Sequence, residues 1–281
     1  MNKILDQFIQ NAIAEDIGDG DATSLACIPE DATGRMKLLV KQEGVIAGVN
    51  IAEQIFQAFD TEIKFEKKIN DGSLVKSGDI VFYVEGKSQQ LLQAERLMLN
   101  VMQRMSGIAT VTRRYVDQIN GTTANILDTR KTTPNNRFLE KEAVKIGGGQ
   151  NHRFGLYDMV MIKDNHVDFA GGITQAVEKV VDYLKQKNKS LKIEVEVRNF
   201  EELDEALSLP NIDRIMLDNF SVTNTYKAVK KVNKAKELES SGGITLDTIR
   251  GYAETGVNFI SVGALTHQIL SLDLSLKAIE K

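Results

Sequence analysis

The sequence predicts an α/β protein in two parts, a strand-rich N-terminal part and a C-terminal barrel of alternating strands and helices. Residues 30–90 consist mostly of short strands and glycine turns, and a long apolar stripe at helical spacing begins at Leu91. After about residue 120, short apolar strands that end in polar residues alternate with helical stretches. This alternation implies right-handed βαβ units and a parallel sheet, and the number of units favours a closed or nearly closed barrel over an open sheet.

The composition argues against several classes of function. The chain has 281 residues, of which 42% are hydrophobic and 26% charged, as is usual for a globular protein. Its 35 basic and 39 acidic residues give a net charge of −4, which argues against a nucleic-acid partner. The single cysteine, Cys27, excludes an intrachain disulfide and favours a reducing compartment, so we expect the cytoplasm. We expect no secretory signal and no membrane span, because residues 1–13 read as an amphipathic helix and no apolar run is long enough.

The elements before residue 120 follow from their hydrophobic periods. Strands are predicted at 34–40, 44–48 and 62–69, a helix at 51–59, and a strand, turn and strand over 71–86. The stripe from Leu91 to Val116 predicts a long helix that Ser106-Gly107 kinks or divides. Arg96 lies off this stripe, on the face that points away from the core of its own domain.

The elements of the barrel are predicted in the same way. Strands are expected at 124–127, 157–162, 191–197, 214–217, 237–239 and 257–262, with helices at 173–184, 200–207 and 245–253. No Gly-x-Gly-x-x-Gly follows the first strand, which argues against a dinucleotide-binding fold. We therefore divide the chain into an N-terminal domain, residues 1–110, and a barrel domain, residues 111–267. A C-terminal helix over 268–281 is expected to join the N-terminal domain.

Cations and carboxylates collect where the barrel strands end, which is where such barrels place their active sites. The cations are Arg130, Lys131, Arg153 and Lys163, and together they predict a substrate with several negative groups. Residues 147–155, rich in glycine, are expected to form a flexible loop that closes over it.

The carboxylates alternate along one strand. Glu194 and Glu196 share a face, and if that face points inward, Glu196 and Asp218 can form a hard-oxygen site for Mg²⁺ that carries a polyphosphate. Salt bridges to neighbouring lysines are the alternative.

Glycines and histidines complete the candidate site. Ser241-Gly242-Gly243, before a helix expected near Thr245, and Gly263-Ala264 are suited to bind phosphate, although plain turns would also explain them. His152 and His166 can act as acids or bases, but structural histidines are equally consistent with the sequence.

The segment Asp128-Thr129-Arg130-Lys131-Thr132-Thr133-Pro134 resembles the signature of the quinolinate phosphoribosyltransferases, the carboxylating nicotinate-nucleotide pyrophosphorylases. The resemblance covers most of the chain. Its further motifs are Ala14–Gly18 with Gly20-Asp21, Ala94–Arg96, Ser106–Thr110, His152–Leu156, Ile162–His166, Glu194–Val197, Met216–Phe220, Ser241–Ile244 and Val262–His267.

The resemblance implies a reaction and an architecture. Quinolinate and phosphoribosyl pyrophosphate would give nicotinate mononucleotide, pyrophosphate and CO₂, with Mg²⁺ required. The expected fold is an N-terminal α/β sandwich followed by an incomplete, open α/β barrel. At least a dimer is expected, in which Arg96 reaches the quinolinate of the neighbouring subunit.

The resemblance also implies roles for individual residues. Lys131, Glu196 and Asp218 are the expected catalytic residues, and both carboxylates would hold Mg²⁺, partly through water. The expected quinolinate ligands are Arg96, Thr129, Arg130, His152, Arg153 and Lys163. The expected phosphate-binding residues are Ser241, Gly242, Gly243, Val262, Gly263 and Ala264.

Three other functions remain open from the residues alone. A phosphoribosyltransferase that uses nicotinate without decarboxylation would not need so many cations for one carboxylate. A Schiff-base aldolase would use Lys131 or Lys163 but leaves the pair Glu196 and Asp218 unexplained. A non-catalytic metabolite-binding protein would have no need of those two carboxylates.

Overall fold

The computed structural model describes residues 3–279, which fall into two compact units. The first unit comprises the chain up to Arg113, Thr133–Gly148 and the segment from Gln268 onward. The second comprises Arg114–Thr132 and Gly149–His267. The predicted division did not place 133–148 with the N-terminal part. Glu140 explains the difference, because its buried carboxylate accepts two hydrogen bonds from Arg104, at 2.8 and 2.6 Å.

The first unit combines antiparallel strands with helices. Its elements are α1 (Lys3–Ile17), α2 (Ala22–Cys27), β1 (Thr33–Val40), β2 (Gly44–Val45), α3 (Val49–Phe59), β3 (Lys64–Lys67), β4 (Leu74–Val75), β5 (Ile80–Lys87), α4 (Ser88–Gln118), which continues past Arg113, α5 (Arg137–Ile146) and β12 (Leu274–Ala278). The main sheet has the order β12-β1-β5-β3. Phe56, Phe65 and Phe82 pack together in its core, with ring centroids 4.4–6.2 Å apart.

Two expectations for this unit were wrong. The segment over 268–281 contains the strand β12 instead of a helix, and β12 pairs with β1 through Leu38 and Leu276. The alternation of Leu272, Leu274 and Leu276, all buried, has the period of a strand and was visible in the sequence. Likewise β4 pairs with β2, not with β5, so the segment 71–86 is not a simple hairpin.

Helix α4 is continuous, so Ser106-Gly107 does not divide it. The hydroxyl of Ser106 donates to the carbonyl of Ala47 and accepts from its N–H, which ties the helix to the loop after β2. A Cβ at Gly107 would overlap the carbonyl of Leu270. Glycine is therefore needed here for the close approach of the C-terminal segment.

The second unit is a parallel sheet of six strands with helices between them. Its elements are β6 (Asn125–Leu127), β7 (Val160–Ile162), α6 (Asp164–Ala170), α7 (Ile173–Gln186), β8 (Ile193–Val197), α8 (Phe200–Ser208), β9 (Arg214–Asp218), α9 (Val222–Val232), β10 (Glu237–Ser241), α10 (Ile249–Ala253), β11 (Phe259–Ser261) and α11 (Ala264–His267). The order is β6-β11-β10-β9-β8-β7. The first strand pairs with the last, as in a barrel, while β6 and β7 form the two edges, so the barrel is open as expected.

Several elements of this unit are shorter than the sequence predicts. Strand β7 begins at Val160 because the preceding residues form a turn around the carboxylate of Asp158, which accepts from the N–H groups of Phe154 and Gly155. Helix α10 begins at Ile249 and has five residues, and α11 has four. Within residues 3–279, no helix is long and apolar enough to cross a membrane.

Candidate active site

The six parallel strands of the second unit bring most of the predicted site residues to one side of the sheet, at the carboxyl ends of the strands. Asp218 and Ser241 are the paired last residues of β9 and β10, and Ser261 of β11 pairs with Leu127 of β6. Side chains that follow these strand ends are neighbours because parallel strands end on the same side. Arg96 is exposed on α4 in the first unit, as its position off the apolar stripe predicts.

Three cations of the second unit make no ion pair within residues 3–279: Arg130, Lys131 and Arg153. Arg153 also donates from Nη1 to the carbonyl of Met159. Burial lowers the pKa of the Arg153 guanidinium, and the nearby positive charge of Arg130 lowers it further. The charges of Glu194 and Asp158 act in the opposite direction, but no carboxylate forms an ion pair with either arginine in the described residues, so the two cations are suited to attract an anion.

Lys163 and Glu196 are paired with each other. The Nζ of Lys163 lies 2.7 Å from Oε2 of Glu196, and the carboxylate is buried while the lysine side chain is 45% exposed. This is the salt bridge that the sequence left open as an alternative to a metal site. The ammonium group therefore neutralises the carboxylate that was predicted to bind Mg²⁺, and lysine and metal would compete for its negative charge.

Asp218 is held by its neighbour Asn219, which the sequence did not single out. The Nδ2 of Asn219 donates to Oδ2 of Asp218 at 2.9 Å, and its backbone N–H donates to the carbonyl of Ser241. Asn219 has φ 54°, a conformation that asparagine tolerates better than most residues. A Cβ at Gly242, where φ is 103°, would overlap Oδ1 of Asn219. The ends of β9 and β10 are thus fixed to each other.

The two glycine turns leave backbone donors free. The N–H groups of Gly242, Gly243 and Gly263 donate to no group in the described part of the chain, whereas the N–H of Val262 donates to the carbonyl of Leu127. A Cβ at Gly263 would lie 3.0 Å from Nε2 of His267 and 3.1 Å from Cδ of Lys131. The expected helix near Thr245 is wrong in its start, so the turn at Gly243 gains no charge from a helix N-terminus directly behind it.

Two further predicted residues make local contacts. The hydroxyl of Thr129 accepts from the N–H of Lys131 at 3.0 Å, and the hydroxyl of Thr266 donates to the carbonyl of Lys131. Nδ1 of His166 accepts from the N–H of Lys163 at the start of α6, which favours the structural interpretation of this histidine.

His152 lies inside the unit, against carboxylates that its predicted role did not include. Its Nε2 is 3.1 Å from Oε2 of Glu194 and 3.3 Å from Oε2 of Glu239, and both glutamates are fully buried. Its backbone N–H donates to the buried carboxylate of Asp128 at 2.8 Å. The alternation of Glu194 with Glu196 was visible in the sequence, but no pattern indicated that Glu239 or Asp128 would contact His152.

Charges in this cluster compensate one another. Nη1 of Arg214 lies 3.1 Å from Oε2 of Glu239, and the guanidinium stacks 3.9 Å from the ring centre of Phe259. Burial lowers the pKa of His152, but hydrogen bonds and charges from Glu194 and Glu239 outweigh it and raise the pKa to about 9. Burial together with the charge of Glu239 raises the pKa of Glu194 to about 7. Two carboxylates are thus matched by one guanidinium and one imidazole.

Residues 149–155, the part of the segment 147–155 that lies in the second unit, are held by hydrogen bonds. The N–H of Gln150 donates to the carbonyl of Ile126, and the carbonyl of Gln150 accepts from the N–H of Asp128. Asp158 holds the N–H groups of Phe154 and Gly155. Closure of this segment over a substrate stays a prediction.

Two family models match the chain over most of its length. The model of the quinolinate phosphoribosyl transferase N-terminal domain matches residues 21–106, and the model of its C-terminal domain matches residues 108–277.

Curated proteins and solved structures are similar over nearly the whole chain. The chloroplastic nicotinate-nucleotide pyrophosphorylase (carboxylating) of Arabidopsis thaliana is 46% identical, over 96% of this chain and 81% of that protein. A probable nicotinate-nucleotide pyrophosphorylase (carboxylating) of Bacillus subtilis is 40% identical, over 98% of this chain and 92% of that protein. The crystal structure of NadC from Streptococcus pyogenes superposes with a TM-score of 0.93 at 34% identity, covering 100% of this chain and 99% of that one.

Proposed function

Because this chain belongs to the quinolinate phosphoribosyltransferase family, we infer that it transfers a phosphoribosyl group to quinolinate with loss of CO₂. The products are nicotinate mononucleotide, pyrophosphate and CO₂, and the enzyme is a pentosyltransferase of NAD biosynthesis. One observation of the structure carries this function. Arg130, Lys131 and Arg153 make no ion pair within residues 3–279, as a site for two anionic substrates requires.

Arg130 and Arg153 are the proposed clamp for the two carboxylates of quinolinate. Their guanidinium groups are close enough for the charge of one to lower the pKa of the other, so a dianion between them relieves the repulsion. Guanidinium groups bind carboxylates through paired hydrogen bonds, which fixes the plane of the pyridine ring. Thr129, His152 and Lys163 complete the proposed quinolinate site.

Glu196 and Asp218 are the proposed ligands of Mg²⁺, partly through water. Carboxylate oxygens at the ends of adjacent strands suit this hard cation, and a site with one or two carboxylates leaves room for phosphate oxygens and water. The residues fit the ion, and the Nζ of Lys163, which binds Oε2 of Glu196, would compete with it for the charge of that carboxylate. When bound, Mg²⁺ would supply positive charge to the departing pyrophosphate.

The free N–H groups of Gly242, Gly243 and Gly263 are the proposed donors to the 5′-phosphate. Ser241 and Ala264 flank these donors. Val262 contributes through its place in the turn only, because its N–H is already bonded to Leu127. The stem of Lys131 lies beside Gly263, so its ammonium group would add a positive charge to this phosphate site.

The chain's own groups act in sequence on the two substrates. As pyrophosphate leaves, positive charge develops on the ribose, and the carboxylates of Glu196 and Asp218 offset it while Lys131 neutralises the leaving group. The arginine clamp holds the pyridine nitrogen in line with the ribose carbon, and the nitrogen's electron pair forms the new bond. The cationic ring then accepts the electron pair released when the adjacent carboxylate leaves as CO₂, and that carbon takes up a proton.

The assembly proposed for this enzyme is at least a dimer in which Arg96 completes the quinolinate site of the neighbouring subunit. Exposure of Arg96 on α4 supports this proposal. The proposed location is the cytoplasm, supported by the single cysteine, although the Arabidopsis relative is chloroplastic.

The decisive experiment supplies purified protein with phosphoribosyl pyrophosphate, Mg²⁺ and quinolinate labelled in the carboxylate beside the nitrogen. We expect nicotinate mononucleotide and labelled CO₂ in equal amounts. Product formed from nicotinate, without release of label from quinolinate, would instead identify the non-decarboxylating transferase. No product from either acid would contradict the proposed function.

A further inference from the structure

Glu194 and Glu239 are fully buried carboxylates that the proposed reaction does not use, and both face the ring of His152. They reach it from β8 and β10, on either side of β9, which supplies Arg214. Oε2 of Glu194 and Oε2 of Glu239 both lie near Nε2, at 3.1 and 3.3 Å. Such a fork around one ring nitrogen fixes the orientation of the imidazole.

Glu239 is the centre of this cluster. Its Oε2 accepts from Arg214 of β9 at 3.1 Å, and Ser261 of β11 helps to lower the pKa of this carboxyl. The three ligand atoms of His152, Glu194 and Glu239 lie within 4.8 Å of one another. A divalent cation there would add positive charge beside a guanidinium that already neutralises Glu239. The two carboxylates are therefore better suited to bind the ring of His152 than to bind a metal ion together with it.

The opposite side of the ring lies against the backbone of Arg153, a residue of the predicted quinolinate clamp. Nδ1 lies 2.6 Å from the backbone nitrogen of Arg153, whose N–H donates to it. Asp128, at the end of β6, fixes the backbone of His152 itself. The orientation of the ring and the position of Arg153 are therefore linked through consecutive residues.

We propose that Glu239 and Glu194 are positioning residues that hold His152 by Nε2 and stabilise positive charge on its ring, so that Nδ1 serves the carboxylates of quinolinate. The proposal rests on the proposed function, because it assigns the ring a place beside that substrate. A neutral ring accepts the N–H of Arg153, and a protonated ring gives up this one bond and gains an Nδ1–H donor for the anion. The raised pKa of His152 agrees with such a ring.

The charged groups around His152 determine what a pH profile would report. Glu194 and Glu239 face its ring from β8 and β10, and Arg214 acts on it through Glu239. Asp128, at the end of β6, binds the backbone N–H of His152. Loss of the negative charge of Glu239 removes one of the two groups that favour the protonated ring. In its absence we expect the ring of His152 to lose its proton at a lower pH.

The first test compares Glu239→Gln with Glu237→Gln. Glu237 lies two residues earlier on β10 and contacts Arg214 at 3.3 Å through a half-exposed side chain, so it controls for disturbance of the arginine. For Glu239→Gln we expect KM for quinolinate to rise on the order of tenfold, as for other groups that orient a functional histidine. KM for phosphoribosyl pyrophosphate should stay unchanged, and the alkaline limb of kcat/KM for quinolinate should move to lower pH. Glu237→Gln should change none of these.

Three kinetic outcomes would overturn the proposal. They are an unchanged KM for quinolinate in Glu239→Gln, an equal rise in both KM values, and the same change in Glu237→Gln. A structural role alone would reduce activity without separating the two KM values or moving the pH limb.

A second measurement needs no variant to fold. The chain contains three histidines, so selective isotope labelling allows NMR to follow the ring nitrogens of each one. We expect His152 to titrate well above the ordinary pKa of about 6.5 and its Nδ1 signal to shift when quinolinate is added. Titration at the ordinary value, or no response to quinolinate, overturns the proposal. If the parent protein binds quinolinate but forms no nucleotide, the proposed reaction fails while this measurement still decides the role of His152.

Discussion

The pair formed by Lys163 and Glu196 leads to a prediction with two opposite effects. Lys163→Met keeps the length and apolar stem of the side chain but removes the ammonium group that lies 2.7 Å from Glu196. In the parent protein this ammonium neutralises the carboxylate that is proposed to serve Mg²⁺, so lysine and metal compete for its charge. The variant therefore should bind Mg²⁺ with phosphoribosyl pyrophosphate more readily, yet bind quinolinate less tightly, because a cation of the proposed quinolinate site is gone.

The expected size follows from the burial of the two partners. A hydrogen bond to a charged group contributes about 1.5–3 kcal/mol and an exposed ion pair about 0–1 kcal/mol. Because Glu196 is buried while Lys163 is 45% exposed, an intermediate value of roughly 1–2 kcal/mol is appropriate. At about 1.4 kcal/mol per factor of ten, the Mg²⁺ concentration that half-saturates binding of phosphoribosyl pyrophosphate should fall roughly five- to thirty-fold.

Isothermal titration calorimetry measures both effects on the purified proteins, with phosphoribosyl pyrophosphate titrated at several Mg²⁺ concentrations and quinolinate titrated separately. Lys192→Met, which removes an exposed lysine just before β8, is the matched control and should leave both affinities unchanged. A Mg²⁺ requirement that is unchanged or higher in Lys163→Met would refute the competition between lysine and metal for Glu196.

Three further predictions address the shared site, the phosphate turn and the pH dependence. Lys131→Ala should reduce kcat far more than it weakens quinolinate binding. When this variant is mixed with inactive Arg96→Ala subunits, about a quarter of the parent activity should return if dimers exchange freely. No recovery would contradict a shared site. Gly242→Ala should lower the free energy of unfolding by at least about 2 kcal/mol, because the added Cβ meets Asn219. Gly121→Ala, at a glycine with positive φ but open space around it, should lower it by about 1 kcal/mol and reduce Tm less. Equal Tm values would contradict the overlap at Gly242. The raised pKa of His152, about 9, implies stability that is fully present below about pH 6.5 and lost as the pH rises toward 9, roughly 3 kcal/mol in all. Urea denaturation should therefore show the advantage of the parent over His152→Gln shrinking between pH 6 and pH 9.5, and a constant difference would count against the charged ring.

The sequence by itself determined the α/β class, the family and the order of the barrel elements. The short apolar strands could be recognised from their own residues. Their ends, at Lys131, Lys163, Glu196 and Asp218, were visible as a change from apolar to charged residues. Parallel strands end on one side of a sheet, so local patterns were sufficient to gather these residues into one candidate site. The same local pattern, the alternation of Leu272, Leu274 and Leu276, would also have identified β12 as a strand.

Only the tertiary structure decided which groups contact each other. That Glu239 and Glu194 meet at Nε2 of His152, that Lys163 occupies Glu196, and that Asn219 excludes a side chain at Gly242 depend on contacts between elements 20 or more residues apart. A hydrophobic period records which side of an element is buried, but it contains no information about the partner across the interior. Charges buried in that interior must still be matched, and in this chain the matching among His152, Arg214 and two glutamates was fixed by the order in which the strands pair.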